Sequence, residues 1–337
     1  MALQPVDLTG RLADQFRREI TYLRVSVTDK CNLRCTYCMP PAGLPWIAKP
    51  QVLTFDEIVS LVEAAASVGV RSLRLTGGEP LVRADLAELV GRLSSICGIH
   101  DISLSTNGLL LREQIGALRA AGLRRVNISL DTLREDRFFA ISRRPGLHRV
   151  LDAVDAALEY GLEPVKLNCV VMRGQNDDEI ADFAALTRSR RIFVRFIEVM
   201  PVHENVGLQN DMYVSADEIL ARVERIASIG AIPGPHGNGP ARYYSFQDAP
   251  GAVGVISPLS HDYCRSCNRV RLSADGQLRL CLFGDYELDL RSALRAGVTK
   301  GRMVEMLQAS MLIKPERHHL EHGKTASTMR AFSEIGG

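Results

Sequence analysis

Cysteine is the residue type with the most chemistry to offer in this sequence: there are eight in 337 residues, and six fall into two tight groups. The first group, TDKCNLRCTYCMP, spaces Cys31, Cys35 and Cys38 as C-x3-C-x2-C. The second spaces Cys264, Cys267 and Cys281 as C-x2-C-x13-C. A chain of this length buries an ample core without disulfides. In a reducing compartment such groups more often mean metal. Three thiolates so close together can hold a four-iron cluster and leave its fourth iron open. An open iron can chelate a small molecule bearing an amino and a carboxylate group. A structural zinc usually recruits four ligands and closes its shell. The second group admits two readings: His261 could complete a four-ligand zinc site, or the three thiolates could hold another cluster with an open iron. Cys97 and Cys169 stand apart and are expected to pack as small hydrophobes.

Composition narrows the classes. Hydrophobic residues make up 46% and charged residues 24%, with 27 Gly and 15 Pro. That is ordinary globular usage and excludes disordered and collagen-like chains. Lys+Arg number 41 and Asp+Glu 39, a net charge of +2. This is no footprint for nucleic acid, and none is expected as a partner. No run of about 18 apolar residues exists, so no membrane span is expected. The opening MALQPVDLTGRLADQFRREI has acids and arginines where a secretory signal needs an apolar core, which points to the cytoplasm. At about 150 residues per domain, two domains are expected.

The elements that must position the cysteines alternate. Strand candidates are 22–27, 72–76, 101–106, 124–130, 164–172 and 192–200, and amphipathic helices are expected at 54–68, 83–96, 111–121, 147–160 and 177–189. Thr54 with Glu57 makes a capping box, and Gly69, Gly122 and Gly161 follow their helices as C′ residues. This alternation implies right-handed βαβ units and a parallel sheet. The expected fold is α/β: an incomplete (β/α)6 TIM-like barrel over 1–232, then a smaller C-terminal α+β layer over 233–337. The character changes after about 215, where a helix at 215–229 leads to the loop PGPHGNGP (233–240), then RYYSF, AVGVI and RVRLSADGQLRLCLF. Asp275-Gly276 reads as a hairpin turn, and helices are expected within 288–310. The hairpin can return Cys281 towards Cys264 and Cys267. The first cysteine group follows the first strand at its C-terminal end, where parallel α/β folds place active sites.

Two further motifs sharpen the chemistry. TGGEP (76–80) ends the second strand, and its glycines allow close backbone approach. In Cys267-Asn268-Arg269-Val270-Arg271 the two arginines project from one face of a strand. Guanidinium forks suit phosphates and purine edges; an edge strand charged against aggregation is the plainer alternative.

The C-x3-C-x2-C motif, with Tyr37 before its last cysteine and TGGEP after strand two, resembles the radical S-adenosylmethionine (SAM) superfamily. The resemblance implies a [4Fe-4S] cluster whose open iron binds the SAM amino and carboxylate groups, and reductive cleavage of SAM to a 5′-deoxyadenosyl radical. From LRVSVTDKCNLRCTYCMP through RLTGGEP, STNG, RRVNISLD, VKLN and RFIEVM to CNRVRLSADG and the terminal Gly336-Gly337, the chain resembles the GTP 3′,8-cyclase family within it. That likeness implies conversion of GTP to (8S)-3′,8-cyclo-7,8-dihydroguanosine 5′-triphosphate, the first step of molybdenum cofactor biosynthesis, with a second [4Fe-4S] cluster at Cys264, Cys267 and Cys281. Carried over residue by residue, it gives Tyr37, Gly78, Ser129, Met200 and Arg195 to SAM. Arg24, Arg74, Ser105, Lys166, Arg269, Val270 and Arg271 go to GTP, Arg269 and Arg271 also sharing in catalysis with the first three cysteines. Ser105 stands where the family commonly has Thr and keeps the hydroxyl. The double-glycine tail is implied to enter the active site. Implied partners are a downstream cyclic pyranopterin monophosphate synthase and an electron donor such as flavodoxin or ferredoxin, with the chain a monomer or homodimer.

Two alternatives compete. A peptide-modifying radical SAM maturase of the larger auxiliary-cluster type typically needs about seven C-terminal cysteines, and three are present. A non-enzymatic zinc-binding regulator leaves TGGEP without a purpose. His318, His319 and His322 read as surface, and Asp177-Asp178-Glu179 as a helix N-terminal turn. No P-loop occurs, so GTP would bind outside that framework.

Overall fold

A computed structural model describes residues 10–200, 210–235, 237–320 and 330–335. The first part runs β1 (Tyr22–Ser26), α1 (Phe55–Ser67), β2 (Ser72–Thr76), α2 (Leu86–Ser94), β3 (Asp101–Thr106), α3 (Leu111–Ala120), β4 (Arg125–Ser129), α4 (Glu135–Ser142), α5 (Leu147–Glu159), β5 (Val165–Val171), α6 (Ile180–Ser189) and β6 (Ile192–Glu198). The rest adds α7 (Ala216–Glu224), β7 (Ile229–Ile232), β8 (Arg242–Phe246), β9 (Ala252–Ile256), β10 (Arg269–Leu272), β11 (Gln277–Arg279), β12 (Glu287–Asp289), α8 (Leu290–Arg295), α9 (Lys300–Met311) and α10 (Phe332–Ile335). No helix among the described residues is long and apolar enough to cross a membrane.

All twelve strands among the described residues join one sheet, ordered β12-β11-β10-β1-β2-β3-β4-β5-β6-β9-β8-β7. β1 to β6 run parallel in sequence order, as the βα rhythm predicts. The C-terminal residues extend that sheet at both edges: β9 lies parallel to β6 and β10 parallel to β1. Antiparallel strands then finish each edge.

The side-chain pattern explains both faces. Leu23, Val25, Leu73, Leu75, Leu104, Val126, Leu167 and Phe196 pack with helix residues such as Ile58, Leu61, Leu89 and Phe183 into one core. Between them, successive strands alternate to Arg24, Arg74, Ser105, Arg125, Asn127, Lys166, Asn168 and Arg195, which the pleat turns to the opposite face. Parallel strands covered on both sides normally read as continuous apolar runs. Polar alternation here marks the inner face as a chamber instead.

Local signals behave as their chemistry predicts. Thr54 accepts from the Glu57 backbone N–H at 3.2 Å, and Glu57 Oε2 accepts from the Thr54 N–H at 2.8 Å. Gly276 takes φ +79° in the turn between β10 and β11. Other expectations need correction. The helix expected over 215–229 ends at Glu224, and Ile229 instead pairs with Phe246 in a sheet-edge hairpin. The 288–310 segment divides into α8 and α9 at Gly297, whose φ is +79°, before Thr299 caps α9. Cys97 is exposed, not packed: it lies in the turn after α2, beyond the amphipathic stretch that would have buried it. Cys169 is buried as expected.

Candidate active site

Beyond the C-terminal ends of the parallel strands is an open cavity with about 1040 Å³ of empty space. Cys31, Cys35 and Cys38 line it, together with Tyr37, Gly78, Ser129 and Met200. The loop carrying the cysteines is pinned by backbone bonds from Gly78 N–H to Thr28 O and from Glu79 N–H to Lys30 O, both 2.8 Å. The fit admits no side chain: a Cβ on Gly77 would lie 2.2 Å from Thr28 O, and one on Gly78 2.4 Å from Lys30 O. The glycines of TGGEP are thus required by the cysteine loop itself. Glu79 locks the next strand end, accepting from Thr106 Oγ1 and Asn107 N–H at 2.7 Å each. Burial outweighs those donors and pushes its carboxyl up to about 7. Burial likewise raises Asp131 to about 6, although it accepts from Tyr37 Oη at 2.8 Å and Val170 N–H at 2.9 Å.

The thiols sit in surroundings hostile to uncompensated negative charge. Burial pushes Cys31 up to about 11, with Glu79 adding to the shift, and Cys38 up to about 12, with Cys31 adding. Cys35 is raised well above its usual range by burial, Cys38 and Asp131. Three thiols of this kind become stable thiolates when a cationic iron centre supplies the missing charge. The donor set fits the [4Fe-4S] group of the family. Among the described residues no three His, Cys, Asp or Glu side chains are grouped to hold a single metal ion; a cube spreads its thiolates over separate irons.

α10 closes one side of this cavity through Phe332 and Ser333. Arg330 anchors it, bonding Asp275 at 3.0 and 3.1 Å and Glu287 at 2.9 Å. A backbone N–H of Ser333 reaches Cys38. Gly336-Gly337 lie outside the described residues, two positions beyond α10 at most.

Below the cavity the strands enclose a cationic chamber. Arg24, Arg74, Lys166, Arg195, Arg269 and Arg271 are close enough to perturb one another. Burial and neighbouring guanidiniums lower Arg24 well below its ordinary range, Arg271 to about 10 and Lys166 to about 6. Arg74 Nη1 donates to Ser105 Oγ at 3.4 Å, and Arg195 Nε to Asn168 Oδ1 at 2.8 Å. Ser105 and Asn168 also line the cysteine cavity, so the two spaces adjoin. Arg195 itself does not line that cavity. Val270 packs into the core, leaving only its backbone for a ligand. The chamber has one member that the motif reading passed over: Arg125, paired with buried Asp101 through Nε at 2.9 Å and again through Nη2. The signal was available, because the alternation that turns Ser129 inward also turns Asn127 and Arg125 inward.

The second cysteine group assembles as the hairpin requires: Cys264, Cys267 and Cys281 lie within electrostatic reach of one another. Burial alone would raise Cys267, but the Lys314 ammonium and the Arg269 guanidinium and backbone N–H outweigh it and hold the thiol down. His261 faces away, exposed and bonded through Nε2 to Asp217 at 2.9 Å. His318 corrects the surface expectation. It is half-buried, its ring 4.9 Å from that of Phe283, and a backbone N–H of His318 bonds Cys264. The turn after α9 brings it there. His319 is exposed, and His322 lies outside the described residues.

Comparison with known proteins gives two family matches along the chain. Residues 25–187 match the Radical SAM superfamily and residues 192–320 match Molybdenum Cofactor Synthesis C. Proteins named GTP 3′,8-cyclase are similar over nearly the whole chain. The one from Heliobacterium modesticaldum is 48% identical, covering 97% of this chain and 100% of its own length. That from Moorella thermoacetica is 45% identical over the same shares, and that from Listeria welshimeri 43% over 97% and 99%. Among solved structures, Streptococcus suis SuiB bound to S-adenosylmethionine aligns with a TM-score of 0.57 at 14% identity, over 84% of this chain and 67% of that one. SuiB bound to precursor peptide SuiA gives 0.59 at 15%, over 83% and 66%. At such identities the likeness is one of fold. With relatives this similar from end to end, and a thiol-lined cavity of the matching kind, the chain belongs to the GTP 3′,8-cyclase family of radical SAM enzymes.

Proposed function

We propose that this enzyme converts GTP to (8S)-3′,8-cyclo-7,8-dihydroguanosine 5′-triphosphate, opening molybdenum cofactor biosynthesis. The observation that carries the reading is a shared wall: Ser105 and Asn168 line the thiol-bearing cavity and also bond Arg74 and Arg195 of the buried cation cluster. A triphosphate carries several negative charges, and desolvating them requires such a lining. A peptide substrate has no comparable need.

Cys31, Cys35 and Cys38 would hold the [4Fe-4S] cluster, and Gly78, Ser129, Met200 and the Tyr37 segment would receive SAM beside it. When bound, the pair supplies one-electron cleavage of SAM and a carbon radical able to take hydrogen from C3′ of the ribose. The chain's own residues do the rest. Arg24, Arg74, Lys166, Arg269 and Arg271, with Arg195 behind them, hold the triphosphate and so fix the sugar at the boundary of the two spaces, a proximity effect. Arg125, on the strand beside Lys166, adds another buried cation to this lining. α10 walls part of the cysteine side through Phe332 and Ser333. Cys264, Cys267 and Cys281 would hold a second cluster whose open iron meets the purine. We assign residues 1–232 to the SAM-binding part and 233–337 to the second cluster and substrate. A cytoplasmic setting, a flavodoxin or ferredoxin as reductant and a downstream cyclic pyranopterin monophosphate synthase complete the proposal.

Iron analysis and an activity assay test it. The reconstituted chain should carry about eight irons, falling by half when Cys264, Cys267 and Cys281 are replaced. Reduced protein given SAM and GTP anaerobically should release 5′-deoxyadenosine and cyclised GTP together. 5′-Deoxyadenosine without cyclised GTP sinks the substrate assignment.

A further inference from the structure

Lys314, in the turn after α9, is one of the most completely enclosed large side chains of the protein, at 2% exposure. Its Nζ donates to the backbone carbonyl of Arg269 at 3.1 Å and to that of Leu280. Both partners are neutral, and no carboxylate among the described residues is paired with it. A buried ammonium costs several kcal/mol unless an anion offsets it.

The two carbonyls indicate where that anion belongs. Leu280 immediately precedes Cys281, and Arg269 lies two residues beyond Cys267. Lys314 therefore ties together the two strands, β10 and β11, whose ends carry those thiols, and its charge reaches Cys267. Arg18 adds a strap from the opposite side, donating to Cys264 O at 2.8 Å and to Pro315 O and Glu316 O at 2.6 Å each. At the first cysteine group the charged neighbours are the carboxylates Glu79 and Asp131, with Arg34 beside Cys31. At the second, Asp262 faces Cys264, while Lys314 and Arg269 face Cys267.

We propose that Lys314 is the positioning and charge-compensating residue of the second cysteine group, fixing the separation of the strand ends that bear Cys267 and Cys281 and offsetting the net negative cluster they hold. The inference rests on the two-cluster reading above. It adds a residue that touches neither substrate nor SAM and acts through the cluster's surroundings.

The test uses the full chain with Cys31, Cys35 and Cys38 changed to Ala, so that only the second group is read. Lys314→Met removes charge and bonds; Lys314→Gln removes the charge and keeps a donor for the carbonyls; Lys314→Arg keeps the charge. Iron content, circular dichroism and an EPR-monitored redox titration are measured on each. Both neutral variants should be harder to reduce, with the reduced fraction at a set potential falling about tenfold, equivalent to about 59 mV for one electron. Lys314→Arg should stay nearer the parent. Should Lys314→Met fail to fold, Lys314→Gln supplies the same reading. A neutral variant that keeps about four irons and the parent's potential overturns the role of Lys314 alone. A parent with Lys314 intact that binds no iron overturns the two-cluster reading, and this inference with it.

Discussion

Lys166 offers the sharpest test of the chamber. It is 2% exposed on β5, and burial, followed by Arg195, Arg125 and Arg74, lowers its ammonium from 10.5 to about 6. At 1.36 kcal/mol for each pKa unit, an ammonium there would cost about 6 kcal/mol while no anion is bound. At pH 7.5 the nucleotide-free enzyme therefore holds Lys166 largely unprotonated. A triphosphate beside it restores the ordinary range, so binding should take up about one proton. The sign follows by linkage: affinity for GTP falls with rising pH between the two pKa values, by about tenfold per pH unit. Stability of the nucleotide-free chain moves the other way. The unfolded chain keeps this proton up to about 10.5 and the folded chain loses it near 6, so stability rises with pH across that window. The assay is anaerobic titration calorimetry at pH 7.5 in buffers of different ionisation enthalpy, comparing the parent with Lys166→Met. Equal proton uptake by the two proteins would refute the reasoning, whatever happened to affinity.

Three further outcomes are expected. Arg125→Met leaves Asp101 buried without its partner and should destabilise the chain by about 3–5 kcal/mol in urea unfolding, with Asp101→Asn in the same background recovering part of the loss. Gly77→Ala places a Cβ 2.2 Å from Thr28 O, so the first cysteine loop must shift; iron analysis should show about half the parent's content, the second group being retained. Thr54→Ala removes the α1 cap, which does not line the cysteine cavity, and should cost about 1 kcal/mol in thermal unfolding while leaving turnover unchanged.

Local chemistry was legible in the sequence and long-range assembly was not. The capping box at Thr54, the turn at Asp275-Gly276 and the helix-ending glycines depend on neighbours within a few residues, and so can be read from them. The alternation of Arg24, Arg74, Asn127, Lys166 and Arg195 with aliphatic residues already told which side chains share a face. RRVNISLD contains Arg125, but the family likeness gives a role there to Ser129 alone; the alternation along the strand is what turns Arg125 inward. Other features depend on contacts distant along the chain. β9 and β10 lie at opposite edges of the parallel strands, a pairing no local pattern encodes. His318 and Lys314 reach the second cysteine group only because α9, packed against α1, delivers the residues after it to Arg269 and Leu280. Cys97 illustrates the limit of composition, since a small hydrophobe is buried only where the helix before it continues to face the core.

In the proposed arrangement C3′ of GTP sits where the cysteine cavity meets the buried cations. GTP deuterated at C3′, supplied with SAM to the reduced enzyme, reports on this through mass spectrometry of the products. 5′-Deoxyadenosine should carry one deuterium from the nucleotide and form alongside the cyclised product. Unlabelled 5′-deoxyadenosine formed while GTP is being cyclised would contradict it.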